Sequence, residues 1–272
     1  MTRTNPQGRV LIIAGSDSGG GAGIQADIKT VTALGGYAMT AITAVTVQNT
    51  LGVSNVHAIP PHIVREQIDS VMGDLGADAW KLGMLCTAAH AREVLKAFEA
   101  LGRCAPIVLD PVMIAKGGAS LLAADAVALI RDELTALAAI VTPNAPEAEA
   151  LTGVSVADLD GQKRAAEILV SKLGAGAALV KGGHIESETI HDVLLTQSGF
   201  HIFQCPRIHS RATHGTGCTL ASAIAARIAF GSDMAAAVDE GRGYLLEAIR
   251  QAPGLGLGHQ PLGHGWPMTR LG

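Results

Sequence analysis

Short apolar runs of strand length alternate along this chain with longer segments of helical periodicity. The apolar runs are RVLIIAG (9–15), AMTAITAVTVQN, AWKLGML, APIVLD, AAIVTPN and AALVKGG. The helical patterns that separate them are AGIQADIKTVTAL (22–34), HIVREQIDSVMGDL, TAAHAREVLKAFEAL, AADAVALIRDELTAL and GQKRAAEILVSKLGA. Continuous apolar strands joined by helices of about 12 residues are typical of βαβ units, whose parallel sheet is covered on both faces. Since neither a repeat nor a linker interrupts this pattern, the sequence predicts a single α/β domain over residues 1–272.

The pattern changes after Gly183. HDVLLT and FHIFQCPRI predict two neighbouring strands, paired antiparallel around a turn at residues 197–199. Two helices follow these strands. The tail APGLGLGHQPLGHGWPM is too rich in glycine for regular secondary structure.

The composition argues against nucleic-acid-binding, membrane-spanning and disulfide-rich classes of protein. A net charge of −4 and an aromatic content of 3% argue against nucleic-acid binding, which needs a basic face and stacking platforms. No stretch approaches the roughly 20 apolar residues of a membrane-spanning helix, so we expect no membrane partner. The cysteines form no C-x-x-C pair, and neither a disulfide framework nor a zinc site is indicated by Cys86, Cys104, Cys205 and Cys218. We therefore expect a protein of the reducing cytoplasm whose partners are small molecules.

Residues 213–219, THGTGCT, run directly into the helical segment LASAIAARIAF. A helix start rich in glycine leaves backbone N–H groups free and carries partial positive charge, so Gly215, Thr216 and Gly217 suit an anion such as a phosphate. Cys218 lies in the same first turn, where a thiolate is favoured over a thiol. A base beside an anion cradle is suited to phosphoryl transfer. The structural alternative is a glycine turn followed by a buried cysteine.

A second glycine-rich loop, GSDSGGGAG at residues 15–23, follows the first strand. Ligands of α/β sheets bind at the carboxyl ends of strands, so its backbone is placed to approach a small ligand, with Asp17 and Asp27 as polar candidates. Residues 21–26 also satisfy the dinucleotide fingerprint G-x-G-x-x-A, but they begin several residues after the strand end. No carboxylate for a ribose follows about 20 residues later, and the P-loop motif is absent from the sequence.

Polar residues also follow three of the later predicted strands. Asp110 ends APIVL, Asn144 and Glu147 form N-x-x-E after AAIV, and Lys181 ends AALV. A carboxylate at a helix start is often only a cap, but two carboxylates at adjacent strand ends suit a Mg²⁺ held through water. Lys181 is either a contact for ATP phosphates or simply exposed. Because these residues share the carboxyl edge with both glycine loops, a functional site is favoured.

These motifs together resemble the bacterial hydroxymethylpyrimidine/phosphomethylpyrimidine kinases of thiamine biosynthesis, within the ribokinase-like superfamily. The resemblance covers nearly the whole chain and rests on AGSDSGGGAGIQADIKT (14–30), ITAVTVQNT (42–50), KLGML (81–85), VLDPVM (108–113), TPNAPEAEALTG (142–153), VKGGH (180–184) and HGTGCT (214–219). It implies a three-layer α/β/α sandwich with the active site along the carboxyl edge of a mostly parallel sheet. It also implies transfer of the ATP γ-phosphate to 4-amino-5-hydroxymethyl-2-methylpyrimidine and then to the monophosphate so formed, with Mg²⁺, in a homodimer.

The same resemblance implies roles for individual residues. Residues 215–218 match the anion hole, and Cys218 stands where most sugar kinases of the superfamily have an aspartate base. Gln48 matches the residue that reads the ring nitrogen and amino group, a task suited to an amide because it offers a donor and an acceptor side by side. The apolar walls of the ring site match Ala22, Met84 and Val112. The glycine-loop side of the substrate pocket matches Gly15, Asp17 and Asp27. The nucleotide side matches Lys181 and Asn144, and the Mg²⁺ side matches Asp110 and Glu147.

Other classes of protein remain open at this point. A pyridoxal or pyridoxine kinase is the alternative on the same fold, since HGTGC-type loops occur in relatives that accept that ring. A Rossmann-type oxidoreductase rests only on the glycine match at residues 21–26. A non-enzymatic ligand-binding protein would not need Cys218, Lys181 and Glu147.

Overall fold

The computed structural model describes residues 8–113 and 124–268. Its strands join one sheet in the order β3-β2-β1-β4-β5-β6-β7-β8-β9. The strands are β1 (Arg9–Asp17), β2 (Tyr37–Asn49), β3 (Gly52–Ala58), β4 (Ala79–Leu82), β5 (Ile107–Leu109), β6 (Ile140–Val141), β7 (Ala178–Val180), β8 (Thr189–Thr196) and β9 (Gly199–Pro206). Strands β2, β1 and β4 to β7 are parallel, whereas β3 pairs antiparallel with β2, and β8 with β7 and β9.

Helices cover both faces of this sheet. The helices are α1 (Gly23–Ala33), α2 (Pro61–Asp74), α3 (Ala88–Ala100), α4 (Ala124–Leu129), α5 (Ala145–Thr152), α6 (Leu159–Ser171), α7 (Thr216–Ala229) and α8 (Met234–Arg250). Alternate residues of the buried strand β1 point to opposite faces, Leu11 and Ile13 toward α2 to α6, Val10 and Ile12 toward α1, α7 and α8. The three-layer α/β/α arrangement is confirmed. No helix within the described ranges is long and apolar enough to cross a membrane.

The element predictions hold except at their boundaries, at one strand and in one helix. The segment AADAVALIRDELTAL, predicted as one helix, is α-helical over Ala124–Leu129 and continues as a π-helix (Ile130–Leu134) and a 3-10 helix (Thr135–Leu137). Strand β3 was not predicted, because GVSNVHA is an exposed edge strand without a regular apolar alternation. Strand β1 runs to Asp17, two residues beyond the predicted end at Gly15, with a register shift between Ala14 and Ser16. The glycine loop therefore begins at Ser18. Strand β4 ends at Leu82, short of the predicted AWKLGML. The antiparallel pairing of β8 with β9 is confirmed.

The tail is irregular, as predicted, but it is well anchored. The N–H of His259 donates to the carbonyl oxygen of Thr50 at 2.8 Å, just beyond the end of β2. The N–H of His214 donates to the carbonyl oxygen of Gln260 at 3.1 Å. The tail therefore links the β2–β3 turn to the start of α7, two segments that border the site described next.

Candidate active site

A cavity of about 400 Å³ opens along the carboxyl edge of the sheet. Every site residue expected from the sequence lines it except Asp27. Those lining it are Gly15, Asp17, Ala22, Gln48, Met84, Asp110, Val112, Asn144, Glu147, Lys181, Gly215, Thr216, Gly217 and Cys218. The topology explains this convergence, because the carboxyl ends of parallel strands meet at one edge.

The two glycine loops interlock through their backbones. Gly215 has a φ of 80°, and a Cβ there would overlap the carbonyl oxygen of Gly21. Gly23 has a φ of 53°, and a Cβ there would overlap the carbonyl oxygen of Gly15. Only glycine fits such positions without strain. As a result, the first turns of α1 and α7 both face the cavity with their amide groups.

The carboxylate of Asp17 organises the first loop. It accepts hydrogen bonds from the N–H groups of Gly19, Gly21 and Ala22 at 2.8, 2.9 and 2.8 Å. Its Oδ2 also lies 2.8 Å from Nε2 of His214, on the second loop. Burial alone would raise the pKa of Asp17, but the hydrogen bonds from His214 and the loop amides outweigh it and hold the pKa below its usual range. Asp17 is therefore an ionised clamp between the two loops.

Cys218 lies in the first turn of α7 and is partly exposed. Dense packing among protein atoms raises the pKa of its thiol to about 12, although Lys81 and a hydrogen bond from the backbone amide of Gly23 oppose that rise. The expectation of a thiolate at Cys218 is therefore wrong. The helix start does favour the anion, but burial and the nearby carboxylates of Asp27 and Asp110 raise the pKa by more than the helix start lowers it.

Asp27 lies beneath the cavity rather than on its lining. Its carboxylate is fully buried, pairs with Nζ of Lys81 at 2.8 Å and accepts a hydrogen bond from the Ser222 hydroxyl at 2.7 Å. Lys81 is also fully buried as a residue, yet it lines the cavity floor. Burial lowers the pKa of Lys81, but Asp27 and the other acidic groups raise it by more than burial lowers it. The ammonium group therefore stays charged. Burial raises the pKa of Asp27, and the Lys81 charge opposes that rise. Near Cys218 the two charges of the pair act in opposite directions, since Lys81 lowers the pKa of the thiol and Asp27 raises it.

Lys181 forms an ion pair with Asp110 next to Gly217, in the first turn of α7. Its Nζ lies 3.1 Å from Oδ1 of Asp110, and a Cβ at Gly217 would lie 3.4 Å from both Nζ and Oδ2. Burial lowers the pKa of Lys181, but Asp110 and Glu147 raise it by more. The lysine is therefore a charged group of the site, not an exposed side chain.

Glu147 is both a helix cap and a cavity residue. Its Oε2 accepts a hydrogen bond from the N–H of Asn144 at 2.8 Å, and its own N–H donates to Oδ1 of Asn144 at 2.9 Å, which forms a capping box. Burial raises the pKa of Glu147 to about 7; the Asp110 charge also raises it, and the Lys181 charge opposes both. The charges of both Lys181 and Asp110 therefore act on the Glu147 carboxyl group.

Residues expected at a substrate ring also line the cavity. Gln48 reaches it from the end of β2, and Met84 and Val112 add apolar lining. A Cβ at Gly15 would overlap the terminal methyl group of Met84, so glycine leaves room for this flexible side chain. The remaining wall comes from Ala22. An amide among apolar side chains recognises a ring by a few directed hydrogen bonds.

The sequence analysis missed the apolar end of the cavity beyond Lys181. It is lined by Ile190, Cys205, Leu245, Leu246 and Ile249. Below it, Arg242 pairs with Asp192 at 2.8 Å and lies over the ring of Phe203 at 5.1 Å. Ordinary apolar residues in a strand and a helix carry no chemical signature, so no sequence signal would have marked them.

Lys81 and His214 were also missed, although both lie within motifs that carry the resemblance. A lysine inside the buried strand AWKL is a signal that could have been used, because buried charges need a partner. His214 adjoins the anion loop, but the sequence does not show what its ring contacts.

The comparisons with known proteins agree with this geometry. The family model described as phosphomethylpyrimidine kinase matches residues 17–263. The chain belongs to this family. The matched segment includes both glycine loops, the Lys81–Asp27 pair and the start of α7.

Two relatives show how far the similarity extends. The hydroxymethylpyrimidine/phosphomethylpyrimidine kinase of Bacillus subtilis is 48% identical over 257 residues, which cover 94% of each chain. The thiamine biosynthesis bifunctional protein of Geobacter sulfurreducens is 48% identical over 259 residues. That match covers 95% of this chain but 52% of the bifunctional protein, so this chain spans about half its length.

Solved structures share the fold. A phosphomethylpyrimidine kinase of Clostridium difficile superposes with a TM-score of 0.79 at 39% identity, covering 89% of this chain and 99% of that one. An ADP complex of the Bacillus subtilis pyridoxal kinase superposes with a TM-score of 0.87 at 31% identity, covering 97% of this chain and 99% of that one. Relatives with this ribokinase-like fold are thus named as kinases of two different ring compounds, a phosphomethylpyrimidine and pyridoxal.

Proposed function

We propose that this chain is an ATP-dependent kinase of thiamine biosynthesis that phosphorylates 4-amino-5-hydroxymethyl-2-methylpyrimidine and then the resulting monophosphate. One observation carries the proposal. A single cavity joins a ring-binding end at Gln48, an anion-binding loop at residues 215–218 and the charged pair Lys181–Asp110. A ring alcohol and a nucleotide bound at its two ends would meet at Cys218.

At the ring end, Gln48 reads the ring nitrogen and its amino group, while Ala22, Met84 and Val112 enclose the ring. Gly15 lets the backbone approach, and Asp17 holds the loop in place. At the other end, Lys181 and Asn144 contact the nucleotide phosphates, and the apolar wall around Ile190 and Leu246 accepts the adenine. The amides of Gly215, Thr216 and Gly217 bind the transferred phosphoryl group at the positive end of α7.

In each round, the substrate oxygen forms a bond to the γ-phosphorus while the bond to the departing ADP oxygen breaks. In the first round the proton of the alcohol passes to an oxygen of the transferred phosphoryl group. Phosphoryl transfer has a loose transition state, so positioning and charge neutralisation contribute more than base strength. Cys218 therefore acts first by holding the hydroxyl in line, since its raised pKa leaves a thiol at neutral pH. The Lys81 ammonium below it stabilises negative charge that develops there.

The carboxylates fit a Mg²⁺ ion shared with substrate phosphates. The residues that the structure describes contain no group of three or more acidic, histidine or cysteine side chains able to hold a metal alone. Two carboxylates, Asp110 and Glu147, match the usual arrangement in kinases, where Mg²⁺ keeps water and phosphate ligands. When bound, the ion would neutralise phosphate charge.

A coupled assay of ATP consumption tests the proposed function. We expect turnover with the aminopyrimidine alcohol, and then with its monophosphate, at higher kcat/KM than with pyridoxal. A pyridoxal kinase is the second candidate, favoured by the superposition on the Bacillus subtilis enzyme. A preference for pyridoxal would replace the first assignment with the second.

Glu147→Gln and Asp110→Asn should each raise the Mg²⁺ concentration needed for half-maximal activity, and change pyrimidine KM much less. Each variant replaces a carboxyl group of the proposed ion site by an uncharged amide, which is a weaker ligand for Mg²⁺. A Mg²⁺ titration at saturating substrates measures this effect. Exposed Glu99→Gln is the matched control. An unchanged midpoint in both site variants would leave Glu147 a cap and Asp110 only a partner for Lys181.

Gln48→Ala should raise the KM for the aminopyrimidine about 5-fold to 100-fold, while the KM for ATP stays nearly constant. Removing the amide leaves ring groups unpaired in the site, and a loss of about 1–3 kcal/mol in total corresponds to this range of KM. Both KM values are measured beside a melting curve. Equal weakening of both substrates, or a loss of stability alone, would show that Gln48 only supports the loop.

The remaining expectations also belong to this proposal. We propose one domain, a homodimer and a cytoplasmic location. Val45 and Val47 support the dimer, since they are 43% and 57% exposed on the outer face of β2. Sedimentation equilibrium would show the mass of one chain if the dimer is wrong. The four free cysteines support a reducing compartment.

A further inference from the structure

The loop between β7 and β8, residues 181–188, borders the cavity. Two of its residues, Lys181 and His184, line the cavity, and His184 is exposed there. The proposed function places the nucleotide phosphates at Lys181. The β7–β8 loop therefore carries His184 along the nucleotide end of the cavity.

Arg207, which directly follows β9, binds this loop through its whole guanidinium group. Its Nε donates to the carbonyl oxygen of Ser187 at 2.7 Å, its Nη1 to that of Gly183 at 3.0 Å and its Nη2 to that of Ile185 at 2.6 Å. The backbone N–H of Arg207 also donates to the carbonyl oxygen of Glu188 at 2.8 Å. Because a guanidinium is planar and its N–H groups form a rigid fork, the three loop carbonyls are fixed relative to one another.

The peptide planes on both sides of His184 are held by hydrogen bonds. The carbonyl of Gly183 belongs to the plane before His184, and Arg207 binds that carbonyl. The N–H of Ile185 belongs to the plane after His184, and it donates to the carbonyl oxygen of Gly182 at 2.9 Å. Since each peptide unit is planar, two fixed planes determine the φ and ψ of the residue between them. Arg207 therefore helps to set the direction in which the His184 side chain leaves the backbone.

The start of the loop is anchored without Arg207. The N–H of Lys181 donates to the carbonyl oxygen of Pro143 at 2.9 Å, and the N–H of Gly182 donates to Oδ1 of Asp192 at 2.9 Å. Loss of the Arg207 side chain should therefore leave Lys181 in place and release the part of the loop that carries His184.

We propose that Arg207 is a positioning residue for nucleotide binding, which holds the backbone around His184 so that the imidazole contacts the bound nucleotide. This inference rests on the proposed function, which places the nucleotide at Lys181. An imidazole offers an N–H that can donate to an oxygen atom of the nucleotide. Arg207 itself is committed to the loop carbonyls and acts on the nucleotide only through His184.

Calorimetric titration with ADP and Mg²⁺ tests this proposal without requiring turnover. The variants are Arg207→Ala, His184→Ala and the double variant. Arg164→Ala, an exposed arginine of α6, is the control for loss of the same charge. Each site variant should raise the Kd for ADP about 10-fold, and the double variant should also raise it about 10-fold rather than about 100-fold, because both changes remove one contact. Arg164→Ala should change the Kd by less than about 2-fold.

Two further measurements separate the guanidinium fork from its charge. Arg207→Lys keeps the charge but cannot bind three carbonyls at once, so its Kd should stay within about 2-fold of that of Arg207→Ala. Ethylguanidinium replaces the atoms that Arg207→Ala removes, and it should restore most of the ADP affinity of that variant. Ethylammonium, which carries the same charge without the fork, should not.

Multiplied effects in the double variant, full recovery by Arg207→Lys or wild-type affinity in His184→Ala would each overturn the proposal. Since His184 is exposed, His184→Ala gives its answer even if Arg207→Ala does not fold. If the wild type binds ADP with the expected pattern but shows no turnover on the aminopyrimidine, the proposed function is rejected and the role of Arg207 stands. Failure of the wild type to bind ADP would overturn both.

Discussion

Replacing Lys81 by methionine should lower the free energy of unfolding by about 3–5 kcal/mol. The change leaves the Asp27 carboxylate fully buried with the Ser222 hydroxyl but without its opposite charge. Methionine has a similar length and fills the space, so the loss reports the unpaired charge more than a cavity. Denaturant unfolding followed by circular dichroism measures the change.

Two further variants separate charge from packing. Lys96→Met removes a lysine that is 61% exposed and pairs only within its own helix, so its effect should stay within about 0.5 kcal/mol. The double variant Lys81→Met/Asp27→Asn should recover much of the stability, because neither buried charge remains. If Lys81→Met loses no more stability than Lys96→Met, the buried ion pair does not stabilise the fold.

Replacing Cys218 by alanine should lower kcat about 10²-fold to 10⁴-fold on both substrates, with little change in pyrimidine KM. Cys218 lines the cavity in the first turn of α7, where the proposal places the reacting substrate oxygen, so its loss frees that oxygen to leave the line of transfer. Steady-state kinetics on the alcohol and on its monophosphate measure the effect. A kcat near that of the wild type would make Cys218 a packing residue.

Cys218→Ser distinguishes the two ways in which the sulfur could act. A serine hydroxyl still contacts the substrate but ionises even less readily than the thiol, so a positioning role predicts that Cys218→Ser keeps more activity than Cys218→Ala. Alkylation by iodoacetamide supplies a test of the thiol itself. The alkylation rate of Cys218 is the difference between the rates of the wild type and of Cys218→Ala. Because the pKa of this thiol is about 12, that rate should keep rising with pH, with no plateau near neutral pH. A plateau there would indicate the thiolate that burial argues against.

Local sequence was sufficient for much of the fold. The apolar runs around Val10 and Ile107 predicted buried strands because a parallel sheet covered on both faces needs apolar residues on both sides of each strand. Strand β3 escaped prediction because its residues are exposed, and burial is what creates the pattern. Its pairing with β2 depends on backbone hydrogen bonds, which most side chains permit.

The sequence by itself also determined which residues gather at the carboxyl edge of the sheet. Asp110 and Lys181 directly follow predicted parallel strands, and Cys218 follows a glycine loop, so all three were expected at that edge. Only the tertiary structure decided what each of them touches. It placed Asp27 beneath the cavity with Lys81, and it raised the pKa of Cys218 although a helix start favours the thiolate. It also joined His214 to Asp17, 197 residues apart in the chain. The physical reason is that periodicity reports local burial, whereas charge, protonation and hydrogen-bond direction depend on neighbours that only folding brings together.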